Sequence, residues 1–286
     1  MQTYLKERLS SSTVKLYLRD IAIYISHEGE EKAIHASWPQ VMTYIDNLRG
    51  HYTNACTINR ILYAIKAYYN FLIDTGERDD HPCRGIKLRD AKNTDLQLQD
   101  LFTSQELETL LDRQERYGLA GIKNQVMMSL LIYQGITAQE MTNIATHDIN
   151  LQKGSIRIKP TRKLNGRTLP LQPSQIMLFY NYLNQVRPQL LKKRKSESFI
   201  VTLRGSAETG EGIGYLAETL RDKFPERKLN PQTIRMSVIS NMLKAGHGLR
   251  TVQVFAGHKK ISSTERYRPT ASEALKTAVL KFHPLG

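Results

Sequence analysis

Cysteine is scarce in this chain. Cys56 and Cys83 are its only two thiols in 286 residues, and they show no metal-ligand spacing. That excludes a disulfide framework and a cysteine-rich zinc site, and it suits a reducing, cytoplasmic compartment. Long apolar runs are missing too. The nearest, Val126–Tyr133, is bounded by Lys123 and Gln134 and falls well short of the roughly 20 residues that cross a bilayer. The opening residues Met1–Arg8 lack the apolar centre of a secretion signal. No internal repeat or low-complexity stretch is present. The expectation is a cytoplasmic protein with no membrane partner.

What is present is positive charge. Lysine and arginine total 41 against 27 acidic residues, a formal net charge of +14, and the isoelectric point is about 9.7. Such a balance favours a polyanionic partner. Nucleic acid fits, and so would a ribosomal or membrane-surface role on charge alone. With 40% hydrophobic residues the chain can bury a core, and its length suits two domains.

The first part reads as helical. Ser10-Ser11-Ser12-Thr13 caps a segment whose apolar positions Val14, Leu16, Tyr17, Ile21, Ile23, Tyr24 and Ile25 fall mostly on one helical stripe. Ser37-Trp38-Pro39 opens a second helix with proline in the first turn, and a third runs from about Asn54 to Asp74. Lys15, Arg49, Arg60 and Lys66 are expected on outer faces, as phosphate contacts or as a solvated surface. Residues 89–98 read as a linker between a helical domain (1–88) and a second domain (99–286). The second opens on a capping box, Thr103 to Glu106, followed by apolar helices at about 122–133 and 138–144. Period-two alternation over Ile149–Ile158 then predicts strands. A hairpin follows over residues 155–171, with Thr161–Gly166 as its tip, Asn165-Gly166 as a strong turn signal within it and Pro170 marking its return strand as an edge. The fold class is mainly α with a small antiparallel β-sheet.

The most specific stretch is C-terminal: Asn230-Pro231-Gln232-Thr233-Ile234-Arg235, Phe255-Ala256-Gly257-His258 and Thr264-Glu265-Arg266-Tyr267. Arg235 and His258 lie 23 positions apart (258 − 235), and His258 and Tyr267 nine (267 − 258). Upstream, Gln134-Gly135-Ile136-Thr137-Ala138-Gln139-Glu140-Met141 and Asp148-Ile149 form a second recognisable block. These motifs, their order and their intervals resemble the tyrosine recombinase (phage integrase) family, of the Xer-like, mobile-element type. The N-terminal helices resemble that family's SAM-like core-binding domain, so the likeness covers nearly the whole chain.

The resemblance implies two domains that clamp double-stranded DNA. It implies Tyr267 as the nucleophile of a 3′-phosphotyrosyl intermediate, Arg235 as a phosphate clamp, His258 as a phosphate hydrogen-bond partner and Lys163 as general acid. The chemistry is physically coherent. Guanidinium forks neutralise the non-bridging oxygens, a covalent intermediate conserves the bond for rejoining, and no metal or nucleotide cofactor is called for. It further implies a homotetramer on a four-way (Holliday) junction, joined through an amphipathic helix at about 271–282, with accessory DNA-bending proteins as further partners.

Two positions depart from the pattern. Thr137 stands where the family's first block has arginine, and Gln232 where the second has histidine. Gln232 can still donate to phosphate, three residues before Arg235 on one helical face. Thr137 cannot replace a guanidinium, and Arg162 and Arg167, flanking the hairpin tip, are the candidate replacements. The rival readings are a recombinase-like accessory protein that binds DNA without cutting it, and a monomeric nicking enzyme of the type IB topoisomerase kind. Taken singly, Tyr267 could be a packing residue, Arg235 an ion-pair partner, and the hairpin cations ordinary surface charge.

Overall fold

A computed structural model describes residues 1–88, 98–112 and 118–268. It divides into two compact units, 1–95 and 96–286. The proposed C-terminal docking helix (271–282) and nearly all of the linker lie outside the described residues.

The first unit is a bundle of five helices: α1 (Gln2–Arg8), α2 (Ser11–Glu28), α3 (Glu30–His35), α4 (Trp38–His51) and α5 (Ala55–Asp74). Side chains cap the helix starts. Ser10 accepts from the Thr13 N–H, and Asn54 from the Cys56 N–H at 2.9 Å. The Ser37 N–H reaches the side chain of Gln40 at 2.7 Å. The short helices α1 and α3 were not expected, because each is too brief to display a period. Their Leu5 and Ala33 nevertheless enter the core beside Tyr24, Ile45, Ile58, Leu62, Ile65 and Tyr69. At the centre the Tyr24 and Tyr69 hydroxyls meet at 2.7 Å, and Tyr69 donates to the Ala33 carbonyl at 2.8 Å.

The second unit surrounds α7 (Gly118–Tyr133). Val126, Met127, Met128, Leu130 and Leu131 are all buried, so the second half of this helix is apolar on nearly every face, as suits a central helix. It is preceded by α6 (Ser104–Glu108) and followed by α8 (Ala138–Thr142). A three-stranded antiparallel sheet comes next, in the order β1 (Ile149–Asn150), β2 (Ser155–Ile158), β3 (Arg167–Pro170). Ile156 pairs with Leu169 and Ile158 with Arg167, so Ile156, Ile158 and Leu169 face the core while Arg157 and Thr168 face out. Pro170 sits in the edge strand.

Helices α9 (Pro173–Asn181), α10 (Arg187–Leu191), α11 (Gly210–Glu218), α12 (Pro231–Lys244), α13 (Leu249–Ala256) and α14 (Ser262–Glu265) complete the unit. The end of α7 is fastened to the sheet by a buried pair of amides. Gln134 and Gln175 exchange hydrogen bonds at 2.9 Å, and Gln134 also donates to the Pro170 carbonyl at 2.9 Å.

One expected detail is corrected. Asn165-Gly166 does not make the hairpin turn. The tip closes at Thr161–Leu164, where the Thr161 N–H reaches the Leu164 carbonyl at 2.9 Å. The Asn165 N–H is spent instead on the carbonyl of Gly257 at 2.8 Å. Gly166 is small for a different reason: a Cβ there would lie 2.9 Å from Pro160 and 3.2 Å from the Ile158 carbonyl.

Candidate active site

Helix α12 begins with a local device. The Asn230 side chain accepts from the Thr233 N–H at 2.9 Å, and Pro231 sits in the first turn, where its missing N–H is not needed. Arg235 follows one turn in, buried, and its guanidinium is aimed by backbone. It donates to the Gly135 carbonyl at 2.6 Å and to the Ala256 carbonyl at 2.5 Å. Gly135 belongs to the first block and adopts φ +54°, which turns that carbonyl towards α12.

Helix α13 ends at Gly257, whose φ of +71° is the left-handed cap that glycine adopts without penalty. The chain reverses there and delivers His258. The imidazole Nδ1 shares a hydrogen bond of 2.8 Å with the fully buried Thr264 hydroxyl. Burial, and then the charges of Arg235 and Arg167, push the His258 pKa down to about 4, so the ring is neutral at pH 7. With Thr264 as donor to Nδ1, the ring proton resides on Nε2 and is available to a phosphate oxygen.

Tyr267 lies just past α14. Its ring stacks on His258 with centroids 6.2 Å apart and is seated on Leu98, Leu101, Ile239, Val252 and Ala256. Its hydroxyl makes no hydrogen bond to any described residue. Burial raises its pKa, opposed by the positive charges of Arg235 and Arg266. The phenol is therefore protonated at neutral pH, in a field that favours its anion once formed.

Thr137 and Glu140 explain each other. Thr137 caps α8: its hydroxyl accepts from the Glu140 N–H at 3.1 Å, while the Glu140 carboxylate accepts from the Thr137 N–H at 2.9 Å. That carboxylate is fully buried and holds two guanidiniums. Arg167 Nη1 is 2.5 Å from its Oε1, and Arg235 Nη1 is 3.7 Å from its Oε2. Burial alone would raise the Glu140 pKa. Arg167, the Thr137 N–H and Arg235 together outweigh it, and the net shift is downward. Burial, offset in part by Glu140, lowers the Arg235 pKa to about 10, still charged at pH 7.

The sequence-selected residues thus divide. Tyr267, Arg235 and His258 come together, and Arg167 joins them through Glu140. Arg162 is exposed, and what its backbone carbonyl receives is the Lys259 ammonium at 2.9 Å. Lys163 is exposed at the hairpin tip with no hydrogen bond or ion pair among the described residues. The other lysine of that loop, Lys159, is tied to Asp148 at 3.0 Å, together with Arg157 at 2.9 Å. Gln232 is exposed in the first turn of α12 and makes no hydrogen bond among the described residues. In the first unit, Lys15 and Arg49 are exposed. Arg60 and Lys66, expected on outer faces, are half-buried and engaged. Arg60 pairs with the buried Asp20, and Lys66 donates to the Ile86 carbonyl at 2.6 Å.

Sequence reading assigned no role to Glu140 or Thr264. A signal for Glu140 was present in the T-x-x-E spacing from Thr137, which is a capping box. Thr264 had none beyond its place in the motif, because the bond to His258 exists only after the Gly257 turn.

Two family models match the chain. That described as "Phage integrase, N-terminal SAM-like domain" spans residues 2–76, and that described as "Phage integrase family" spans 100–273, well over half the chain. The chain belongs to the phage integrase family of tyrosine recombinases. Tyrosine recombinase XerD of Staphylococcus aureus is 26% identical over 286 residues, covering 98% of this chain and 95% of the relative. The Staphylococcus haemolyticus XerD is likewise 26% identical, with the same coverage. Among solved structures, XerH recombinase in a post-cleavage complex with palindromic difH superposes with a TM-score of 0.71 at 16% identity, covering 96% of this chain and 80% of that one. The Tn1549 transposon integrase bound to transposon right-end DNA gives 0.68 at 15% identity, covering 98% of each chain. Those two likenesses concern the fold. No helix of the described residues of this recombinase is long and apolar enough to cross a membrane, and the described residues hold no cluster of three or more metal-ligating side chains.

Proposed function

We propose that this recombinase is catalytically active and performs site-specific recombination by cutting and rejoining duplex DNA through a 3′-phosphotyrosyl intermediate. The observation that carries this is the convergence of Arg235, His258 and Tyr267, which three separate segments bring to the turn between α13 and α14. An accessory protein that had lost catalysis would have no need of a phenol with no hydrogen bond among the described residues, stacked on a neutral imidazole beside a backbone-aimed guanidinium.

In this reading the scissile phosphate receives N–H donors from Arg235 and from Nε2 of His258, with Gln232 at the rim. Tyr267 attacks phosphorus, and the 5′ oxygen leaves with a proton from Lys163. The Leu164–His258 bridge and the bond from Lys259 to the Arg162 carbonyl, on either side of Lys163 in the chain, support that role. Lys15 and Arg49 are exposed cations of the first unit that suit phosphate contacts. They position DNA without reading its sequence. Strand exchange then takes four protomers and a four-way junction. Integration, excision, inversion and resolution of mobile DNA share this chemistry.

The test is covalent capture. The full chain is incubated with a nicked duplex carrying the inverted repeats that flank its gene, and adducts are read on a denaturing gel. An adduct that is absent in Tyr267→Phe is the expected result. Site-specific binding with no adduct in the wild type sinks the proposal in favour of the accessory reading.

A further inference from the structure

We infer that Arg167 supplies the second guanidinium at the scissile phosphate, from strand β3, at the site where Thr137 supplies none. This rests on the recombinase reading above and adds a catalytic residue to it.

Arg167 is buried, its side chain only 3% exposed, yet its nitrogens are not all used. Nη1 and Nη2 meet Glu140 at 2.5 and 3.4 Å, while Nε is buried with no partner among the described residues. A buried donor without an acceptor is costly in a folded protein, and it marks either strain or an absent ligand. The carboxylate that holds Arg167 is the one that faces Arg235, so a single acidic group lies between the two guanidiniums. Two arginines, one carboxylate and a neutral imidazole leave the cluster with one net positive charge. That offsets a phosphodiester and attracts the further negative charge of the transition state.

Space for this arrangement is provided on purpose. A Cβ on Gly257 would fall 2.6 Å from Arg167 Nη1 and 2.9 Å from the Asn165 carbonyl. Arg162, the other candidate, is exposed, and its side chain makes no hydrogen bond or ion pair with this cluster among the described residues. Thr137 for its part is committed to the α8 cap.

In the step itself the Tyr267 oxygen bonds to phosphorus and the bond from phosphorus to the 5′ oxygen breaks. The phenolic proton passes to water, and Lys163 protonates the leaving oxygen. Arg167 donates to a non-bridging oxygen throughout and is unchanged at the end.

The experiment compares wild type, Arg167→Ala, Arg167→Lys and Thr137→Arg/Arg167→Ala for adduct formation on the nicked duplex. A second duplex carries a neutral methylphosphonate at the scissile position. Arg167→Ala is expected to lose on the order of a hundredfold on the phosphodiester but less than tenfold on the methylphosphonate, which lacks the charge to be neutralised. Arg167→Lys, which keeps the charge but not the fork, falls between them. Thr137→Arg is expected to restore part of the loss. Adduct formation by Arg167→Ala at the wild-type rate overturns the inference. So does an equal loss on both duplexes without rescue, which assigns Arg167 to holding Glu140 in place. A wild-type chain that forms no adduct on either duplex brings down the recombinase reading, and this inference with it.

Discussion

Both units bury tyrosines, and the contrast between them separates packing from chemistry. In the first unit Tyr24 and Tyr69 share a hydrogen bond, and Tyr69 also satisfies the Ala33 carbonyl. Burial drives both pKa values up, that of Tyr24 to about 12. In the second unit Tyr267 is buried to a similar degree, but its hydroxyl is unpaired with any described residue and stands in the field of Arg235 and Arg266. Burial therefore does not distinguish the tyrosine proposed as nucleophile from a core residue. The distinction lies in whether the phenol is already satisfied, and by the sign of the charge around it.

That contrast can be broken most sharply at Gly257. Gly257→Ala combines a left-handed φ with a clash against Arg167 and the hairpin backbone. Adduct formation should fall on the order of a hundredfold while the first unit, with its own tyrosines, melts unchanged. Near-normal adduct yield would mean that the site does not depend on this close approach.

Acid probes the second unit next. His258 titrates near 4 in the fold and near 6.5 when unfolded. Between those values the unfolded chain binds a proton that the folded chain does not, so stability is lost as pH falls from about 6.5 towards 4. Denaturant melts at pH 7.5 and 5 should show this as a loss of at most about 2 kcal/mol, reduced in His258→Gln. A variant with the full wild-type slope would assign the pH dependence to other groups.

Tyr69→Phe tests the opposite side of the comparison. It strips the Tyr24 hydroxyl and the Ala33 carbonyl of a partner and should cost about 1–2 kcal/mol of stability with no change in adduct chemistry per folded molecule. A defect in adduct chemistry would show that the two sets of tyrosines are not separate. The smallest effect belongs to Thr264→Val. Freed of its partner, the His258 ring populates both tautomers, and cleavage should slow by roughly fivefold, with Thr264→Ser restoring it. An unchanged rate would show that Thr264 does not set the imidazole.

The helical first domain, the small sheet and the Arg235–His258–Tyr267 triad were legible because each rests on a local pattern: a helical stripe, an alternation, a fixed motif interval. The short helices α1 and α3 escaped because they carry no period. Within the expected tip, 161–166, the part played by Asn165-Gly166 differs from its turn chemistry because the Gly257 carbonyl, far away in sequence, competes for the Asn165 N–H. Arg167 and Arg162 were indistinguishable as letters on one loop. Strand register separates them, since pairing with Ile158 fixes which arginine enters the unit.

The stitching of that hairpin has a mechanical consequence. Residues 164 and 165 are pinned to the reversal that carries His258, through the Leu164–His258 bridge and the Asn165–Gly257 bond, and Lys259 fastens the strap from its other side. Lys163, proposed as the proton donor, and the imidazole thus ride on one buckle. Whatever shifts one shifts both, so an incoming DNA strand meets them already in step and has only the lysine's own four-carbon arm left to position.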